Sequence, residues 1–225
     1  MNRLLERVHQ AQRLFKERLE LVAATKDGLT EAQYIRYLTM QYHLTNGVQR
    51  HFFRIAAHPD LARRRSFRKF LLSFGNEEEL HFEIARADLK QLGHEPSDCP
   101  LDVTLWWAYF NSVVDERPFL RLGGTAVLEN IAGASGPTIQ ALFARAPYPT
   151  PKNSKFLVMH QHDESLPHGD QILDALKEAN LEPHHLNDLV KGAEIATVLY
   201  LRMCEWALRL DKTETADFGT GLIAA

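Results

Sequence analysis

The sequence lacks most features that would assign it to a specialised class of protein. Its 225 residues include two cysteines, Cys99 and Cys204, which are far apart and form no metal-spaced pair. This excludes a disulfide scaffold and fits a reducing compartment. No apolar run approaches the roughly 20 residues that a membrane span needs, and the charged N-terminus lacks the apolar core of a signal peptide. We therefore expect a cytoplasmic protein.

Strong charge and catalytic signature motifs are also missing. The net charge is −3, which gives no electrostatic argument for binding nucleic acid or an anionic membrane. No strand alternation, phosphate-binding loop, hydrolase elbow or zinc CxxC pair occurs. Apolar residues make up 45% and charged residues 24% of the chain, as in ordinary globular proteins.

Apolar residues recur at spacings of three and four along most of the chain, which predicts amphipathic helices. These helices are predicted over residues 2–24, 31–57, 67–92, 101–115, 137–144, 155–179 and 186–210. Thr30 and Gln33 form a capping-box signature, Gly93 ends the third helix, and Pro167 should kink the sixth. We predict one all-α domain of about seven helices over residues 1–211, followed by a C-terminal tail over 212–225.

The helix predicted over residues 67–92 carries two ligating groups on its apolar stripe. The stripe that begins at Phe67 continues to Glu78 and His81, and residues three apart on a helix are neighbours. A buried carboxylate needs a partner, and Glu-x-x-His is the spacing that di-metal carboxylate proteins use. The alternative is a solvated run of acids, Glu77–Glu79, beside an ordinary core histidine.

Glu129 is the second candidate because it is the only acid between Phe119 and Gly136. It lies between Leu128 and Ile131 in a nearly uncharged segment, where a surface position is not expected. Small residues in this segment permit close helix packing or leave room for a ligand. No basic residue stands out among the core candidates, so the sequence gives no argument for a clamp that binds a carboxylate or phosphate group.

Histidines supply the remaining candidates. His43, between Tyr42 and Leu44, is expected to face inward, although it could be an ordinary core histidine. His160, Glu164 and His168 follow one another at four-residue intervals and share a helix face, unless the kink at Pro167 turns Asp163 inward instead. A polar helix surface is the alternative for that segment.

The aromatic residues Trp106, Trp107 and Phe110 are ordinary core candidates that could also form the wall of a substrate pocket. Carboxylates and imidazoles on facing helices suit non-haem iron or manganese, singly or as a pair.

These stretches resemble the haem-oxygenase-like superfamily, in particular its non-haem iron branch. The resemblance covers residues 30–210 and is carried by NEEELHFEIARADLKQLG, the glutamate of GGTAVLENIAG and FLVMHQHDESLPHGDQIL. It implies a seven-helix bundle with a central pocket, and a di-iron oxidase or oxygenase that uses dioxygen on a small organic substrate. The ligands it implies are Glu78, His81, Glu129, Glu164 and His168, with His43 and His160 as further candidates.

The sequence departs from the family at the last motif, where the family usually has an aspartate and where Pro167 directly precedes His168. A single-metal site or a metal-free pocket therefore stays open. The superfamily also contains haem oxygenases, TenA-like thiaminases and cofactor-free quinone synthases. Haem would need a proximal histidine, for which His9 is the candidate, and a thiaminase would need a nucleophilic cysteine. A small-molecule-binding bundle without catalysis is a further alternative, and a homodimer is the default assembly.

Overall fold

The computed structural model describes residues 1–160 and 168–210, except for the side chains of residues 160, 168 and 169. Every regular element in these ranges is helical, which confirms the all-α prediction. The α-helices are α1 (Asn2–Ala23), α2 (Glu31–Thr45), α3 (Gln49–Ala57), α4 (Arg65–Glu77), α5 (His81–Gln91), α6 (Leu101–Val113), α7 (Pro118–Leu128), α8 (Gly136–Arg145), α9 (Lys155–His160), α10 (His168–Glu178) and α11 (Pro183–Leu208). Single 3₁₀ turns cover Pro59–Leu61 and Glu78–Leu80.

Two predicted long helices are each divided, so the described chain has more helices than the seven expected. The helix predicted over residues 31–57 breaks after α2, where Asn46 is extended and Gly47 has a φ of 87°. A side chain at Gly47 would be strained in that left-handed conformation. The helix predicted over 67–92 breaks at the 3₁₀ turn of Glu78–Leu80.

Helix ends follow the sequence signals where those signals are strong. Thr30 accepts a hydrogen bond from the Gln33 backbone, and Gln33 accepts one from the Thr30 backbone, so the predicted capping box is confirmed. Gly93 has a φ of 81° directly after α5, as expected for a helix stop. The predicted tail over residues 212–225 lies outside the described part of the chain.

Helix α7 is the central helix, and its side chains are buried from Pro118 to Val127. Its closest neighbour is α11, and glycines form the contact between them. A Cβ atom added to Gly123 would lie 2.1 Å from the Leu189 carbonyl oxygen, and one added to Gly192 would lie 1.9 Å from the Leu120 carbonyl oxygen. The two backbones therefore touch, which agrees with the close packing expected from the small residues of this segment.

The other helices complete a shell around α7. Helix α2 packs against α5, α6 and α11, while α1 packs against α7, α8 and α11. Asp88 on α5 accepts a hydrogen bond from the Phe156 backbone N–H at 2.8 Å, which ties the start of α9 to α5. Within the described ranges, no helix is long and apolar enough to cross a membrane.

The glycine contact predicts a large loss of stability in Gly123→Ala. The added methyl group would overlap the α11 backbone, so the loss of unfolding free energy should exceed the roughly 1–3 kcal/mol of ordinary overpacking. Gly136→Ala is the matched control, because a Cβ atom there meets nothing within 4 Å. Urea unfolding of both variants measures the difference, and equal midpoints would contradict the proposed contact.

Candidate functional site

A cavity of about 460 Å³ lies inside the helical shell. Most of its wall is apolar, with contributions from α1, α2, α7, α8, α9 and α11. A small set of polar side chains interrupts this wall, including Gln41, Glu78, His81, Arg121, Thr125 and Glu129. Small-molecule sites commonly combine this size with an apolar wall and a few polar groups.

The 3₁₀ turn between α4 and α5 places Glu78 and His81 side by side on this wall. Side chains at i and i+3 eclipse one another in a 3₁₀ turn, and Glu78 Oε2 lies 2.8 Å from His81 Nδ1. Both residues are buried, with 5% and 7% of their surfaces exposed. The sequence prediction that both face inward agrees with these positions.

Glu129 is the residue that directly follows α7, and its side chain lines the same cavity. Burial raises the pKa of its carboxyl group well above the usual range, and the nearby Glu78 raises it further, whereas Arg121 lowers it. The Glu129 side chain is half-buried and lines the cavity. Among the described residues it makes no hydrogen bond or ion pair, so its oxygens are available to a ligand.

The donor set of the cavity fits a hard or borderline metal ion. Two carboxylates and an imidazole are the ligand types that non-haem iron and manganese use. A cation would also relieve the repulsion between Glu78 and Glu129 that raises the pKa of Glu129. The cavity therefore presents ligand types that such an ion uses, and further ligands would have to complete its coordination.

A tighter group of three possible ligands lies elsewhere, among the residues that the structure describes. Donor atoms of Asp60, His184 and His185 all lie within 4.8 Å of one another, whereas Glu78, His81 and Glu129 do not form such a group. The Glu182 backbone N–H donates a hydrogen bond to His185 Nδ1 at 3.2 Å. In a neutral ring, Nε2 then carries the hydrogen and offers no lone pair to a metal. The cap at the start of α11 would have to break before His185 could bind a metal through Nε2.

Arg121 is a charged residue of the cavity that the sequence analysis missed. It is 1% exposed, its Nε donates to His51 Nδ1 at 3.0 Å, and its Nη1 donates to Thr125 Oγ1 at 2.7 Å. Burial lowers its pKa to about 10, against the opposing effect of Glu129 and Glu78. Arg121 therefore stays positively charged at neutral pH.

His51 accepts a hydrogen bond from the guanidinium through a different nitrogen from the one that contacts Thr125. Burial and the charge of Arg121 lower the pKa of His51 to about 3, so the ring is neutral. With Nδ1 accepting from Arg121, the Nε2 hydrogen is placed to be donated to Asn111 Oδ1 at 2.9 Å. Arg54 also donates to Asn111 and pairs with Asp115, so a polar chain links the cavity to the surface.

The structure brings only some of the predicted site residues to the cavity. His43 is not among the residues lining the cavity, contrary to the inward position expected, because its Nε2 lies 2.7 Å from the Ser97 carbonyl oxygen. Trp106 lines the cavity. Phe110 packs behind it with 4.5 Å between ring centroids, and Trp107 donates to the His43 carbonyl oxygen. Glu164 lies outside the described residues, as do the side chains of His160 and His168.

Arg121 and His51 were missed in the sequence analysis, although each had a sequence signal. Arg121 is the only base between Phe119 and Gly136, as Glu129 is the only acid there, and the same burial argument applies to both. His51 lies three residues after Val48 and four before Ile55, which are both buried. Its charged neighbour Arg50 concealed that pattern.

The candidate residues for the haem oxygenase and thiaminase alternatives do not fit the roles that those activities require. His9, the candidate haem ligand, is exposed on α1. Burial raises the pKa of both the Cys99 and Cys204 thiols, which opposes formation of a nucleophilic thiolate. Neither cysteine is among the residues that line the cavity.

Comparison with known proteins supports the fold. No known protein family matches the sequence, and no curated protein matches it either. A crystal structure from Shewanella denitrificans OS217, described as a domain of unknown function with a heme oxygenase-like fold, is similar with a TM-score of 0.79. The two chains are 21% identical, over 93% of this chain and 92% of that one. The chain therefore has the haem oxygenase-like fold.

The buried neutral His51 predicts a loss of stability at acidic pH. The unfolded chain takes up a proton near the ordinary pKa of 6.5, whereas folded His51 stays neutral until about pH 3. Between pH 7.5 and 5 this should remove about 1–2 kcal/mol of unfolding free energy. Urea unfolding should show a shallower acid loss in His51→Gln, whereas variant His9→Gln, changed at an exposed position, should keep the wild-type loss. An unchanged slope in His51→Gln would contradict this assignment.

Proposed function

We propose that the chain is a non-haem iron enzyme of the oxidase or oxygenase type, which acts with dioxygen on a small organic molecule. The supporting observation is that Glu78, His81 and Glu129 lie on the wall of one largely apolar cavity. A cation bound there would offset the repulsion between the Glu78 and Glu129 carboxylates. The resemblance to the non-haem iron branch of the superfamily supports the same proposal.

Glu78, His81 and Glu129 would hold the metal, with manganese as the other candidate ion. The resemblance adds Glu164, His168 and His160 as the groups that would complete one or two metal positions. Bound iron would supply the electron transfer to dioxygen that the side chains themselves cannot provide. The 3₁₀ turn fixes the Glu78–His81 pair, and Trp106 and the apolar wall would hold the substrate and exclude water.

A metal-free binding protein is the second candidate, and Arg121 favours it. The positive charge of Arg121 acts on both Glu78 and Glu129, so it compensates part of their negative charge without a metal. In that case the cavity would bind a small molecule with no reaction. Metal titration distinguishes the two candidates.

Anaerobic ferrous titration of wild-type protein, purified without a histidine tag, tests the proposal. Glu129→Gln and His81→Ala should each weaken iron binding by at least the roughly 10–100-fold that loss of an outer-shell partner causes. Both substitutions remove a ligand atom but leave the apolar packing of the cavity largely in place. Equilibrium dialysis and visible absorption after exposure to oxygen provide the measurements.

Glu79→Gln is the matched control, because Glu79 is the exposed neighbour of Glu78. This variant should bind iron as the wild type does. His184→Ala tests the surface group at the start of α11 in the same way. Wild-type iron affinity in both Glu129→Gln and His81→Ala would remove the proposed site. Loss of iron only in His184→Ala would move the site to that surface group.

A further inference from the structure

The cavity contains a buried cation, and none of the carboxylates in the described ranges forms a close ion pair with it. Arg121 makes no ion pair with a carboxylate among the described residues, although it is almost completely buried. Removing a charge from water costs several kcal/mol unless a partner compensates it. Glu78 and Glu129 act on Arg121 only at longer range, and burial dominates its pKa.

The guanidinium group is fixed in place, with hydrogen-bonding capacity left over. Nε and Nη1 donate to His51 and Thr125, while Nη2 has no acceptor in the described part of the chain. The rings of Phe52, Trp106 and Phe110 lie 5.4–5.6 Å from its central carbon. Arg121 lines the cavity, so the guanidinium group lies next to the space that a ligand would occupy.

A metal bound by Glu78 and Glu129 would leave the positive charge of Arg121 even less compensated. Their negative charges would then be engaged by the metal, and Arg121 would remain as an uncompensated positive charge on the cavity wall. A guanidinium binds planar oxyanions through paired N–H groups. One cation among apolar side chains suits a singly charged carboxylate better than a phosphate, which carries nearly two charges and needs more donors.

We infer that the substrate is a small monocarboxylate with an apolar body, whose carboxylate group binds to Arg121. This inference rests on the proposed function, because it names the substrate class of the same cavity. His51 and Thr125 are positioning residues that orient the guanidinium. The apolar wall around Trp106 receives the rest of the molecule, and the cavity of about 460 Å³ limits its size.

Calorimetric titration with matched pairs of probes tests the inference. Octanoate and 4-phenylbutyrate are compared with their uncharged amides, using wild-type protein with and without ferrous iron under argon. A charge-assisted hydrogen bond should favour each carboxylate over its amide by about 10–100-fold. Inorganic phosphate and sulfate are titrated in parallel and should bind more weakly than either carboxylate.

Arg121→Met should remove the preference for the carboxylate, because methionine keeps the volume of the aliphatic part of the arginine side chain but has no charge. Arg117→Met is the matched control, because Arg117 precedes α7 at an exposed position and pairs with Asp188. This control should keep the wild-type preference. If Arg121→Met does not fold, the comparison of carboxylate with amide in the wild-type protein still decides the question.

Several outcomes would overturn the inference. These are equal affinities for acid and amide, no binding of either carboxylate, tighter binding of phosphate, or a preference that survives in Arg121→Met. Iron affinity, measured on the same samples, separates this result from the proposed function. A carboxylate preference without iron binding would support the role of Arg121 and contradict the iron enzyme. Iron binding without the preference would support the iron enzyme and contradict the role of Arg121.

Discussion

The contact between α7 and α11 is the constraint on which the site depends. Gly123 and Gly192 let the two backbones meet, because any side chain there would overlap a carbonyl oxygen of the facing helix. This contact fixes one face of α7 against the bundle. Arg121, Thr125 and Glu129 follow at four-residue intervals on the roughly opposite face, and all three line the cavity. The helix therefore carries a cation and a carboxylate two turns apart on one wall.

The other polar wall depends on a local change of helix type. The 3₁₀ turn at Glu78–Leu80 interrupts what would otherwise be one long helix, and it aligns Glu78 with His81. The buried charges of the two walls act on one another: Glu78 and Arg121 shift the pKa of Glu129 in opposite directions. In the proposed function, a metal ion would match the carboxylates and an anionic substrate would match the guanidinium.

Periodicity and charge made the all-α fold and the burial of Glu78 and His81 predictable from the sequence, and a lone acid in a nearly uncharged segment pointed to Glu129. The helix breaks were less visible. Asn46–Gly47 is a turn signal, but the apolar pattern continues through it, whereas no local signal marks the 3₁₀ turn at Glu78. The apolar sequence neighbours of His43 predicted an inward position, but its side chain bonds to the Ser97 carbonyl oxygen instead. The hydrogen bonds of His51 to Arg121 and Asn111 depend on residues 60 or more positions away, which no local pattern reveals.

The central claim is that iron binds at Glu78, His81 and Glu129 inside the cavity. Anomalous X-ray diffraction at the iron edge, on crystals loaded with ferrous iron under argon, tests it most directly. The account predicts an anomalous peak within bonding distance of these three side chains. A peak at Asp60, His184 and His185 instead, or no peak in crystals that diffract well, would contradict it.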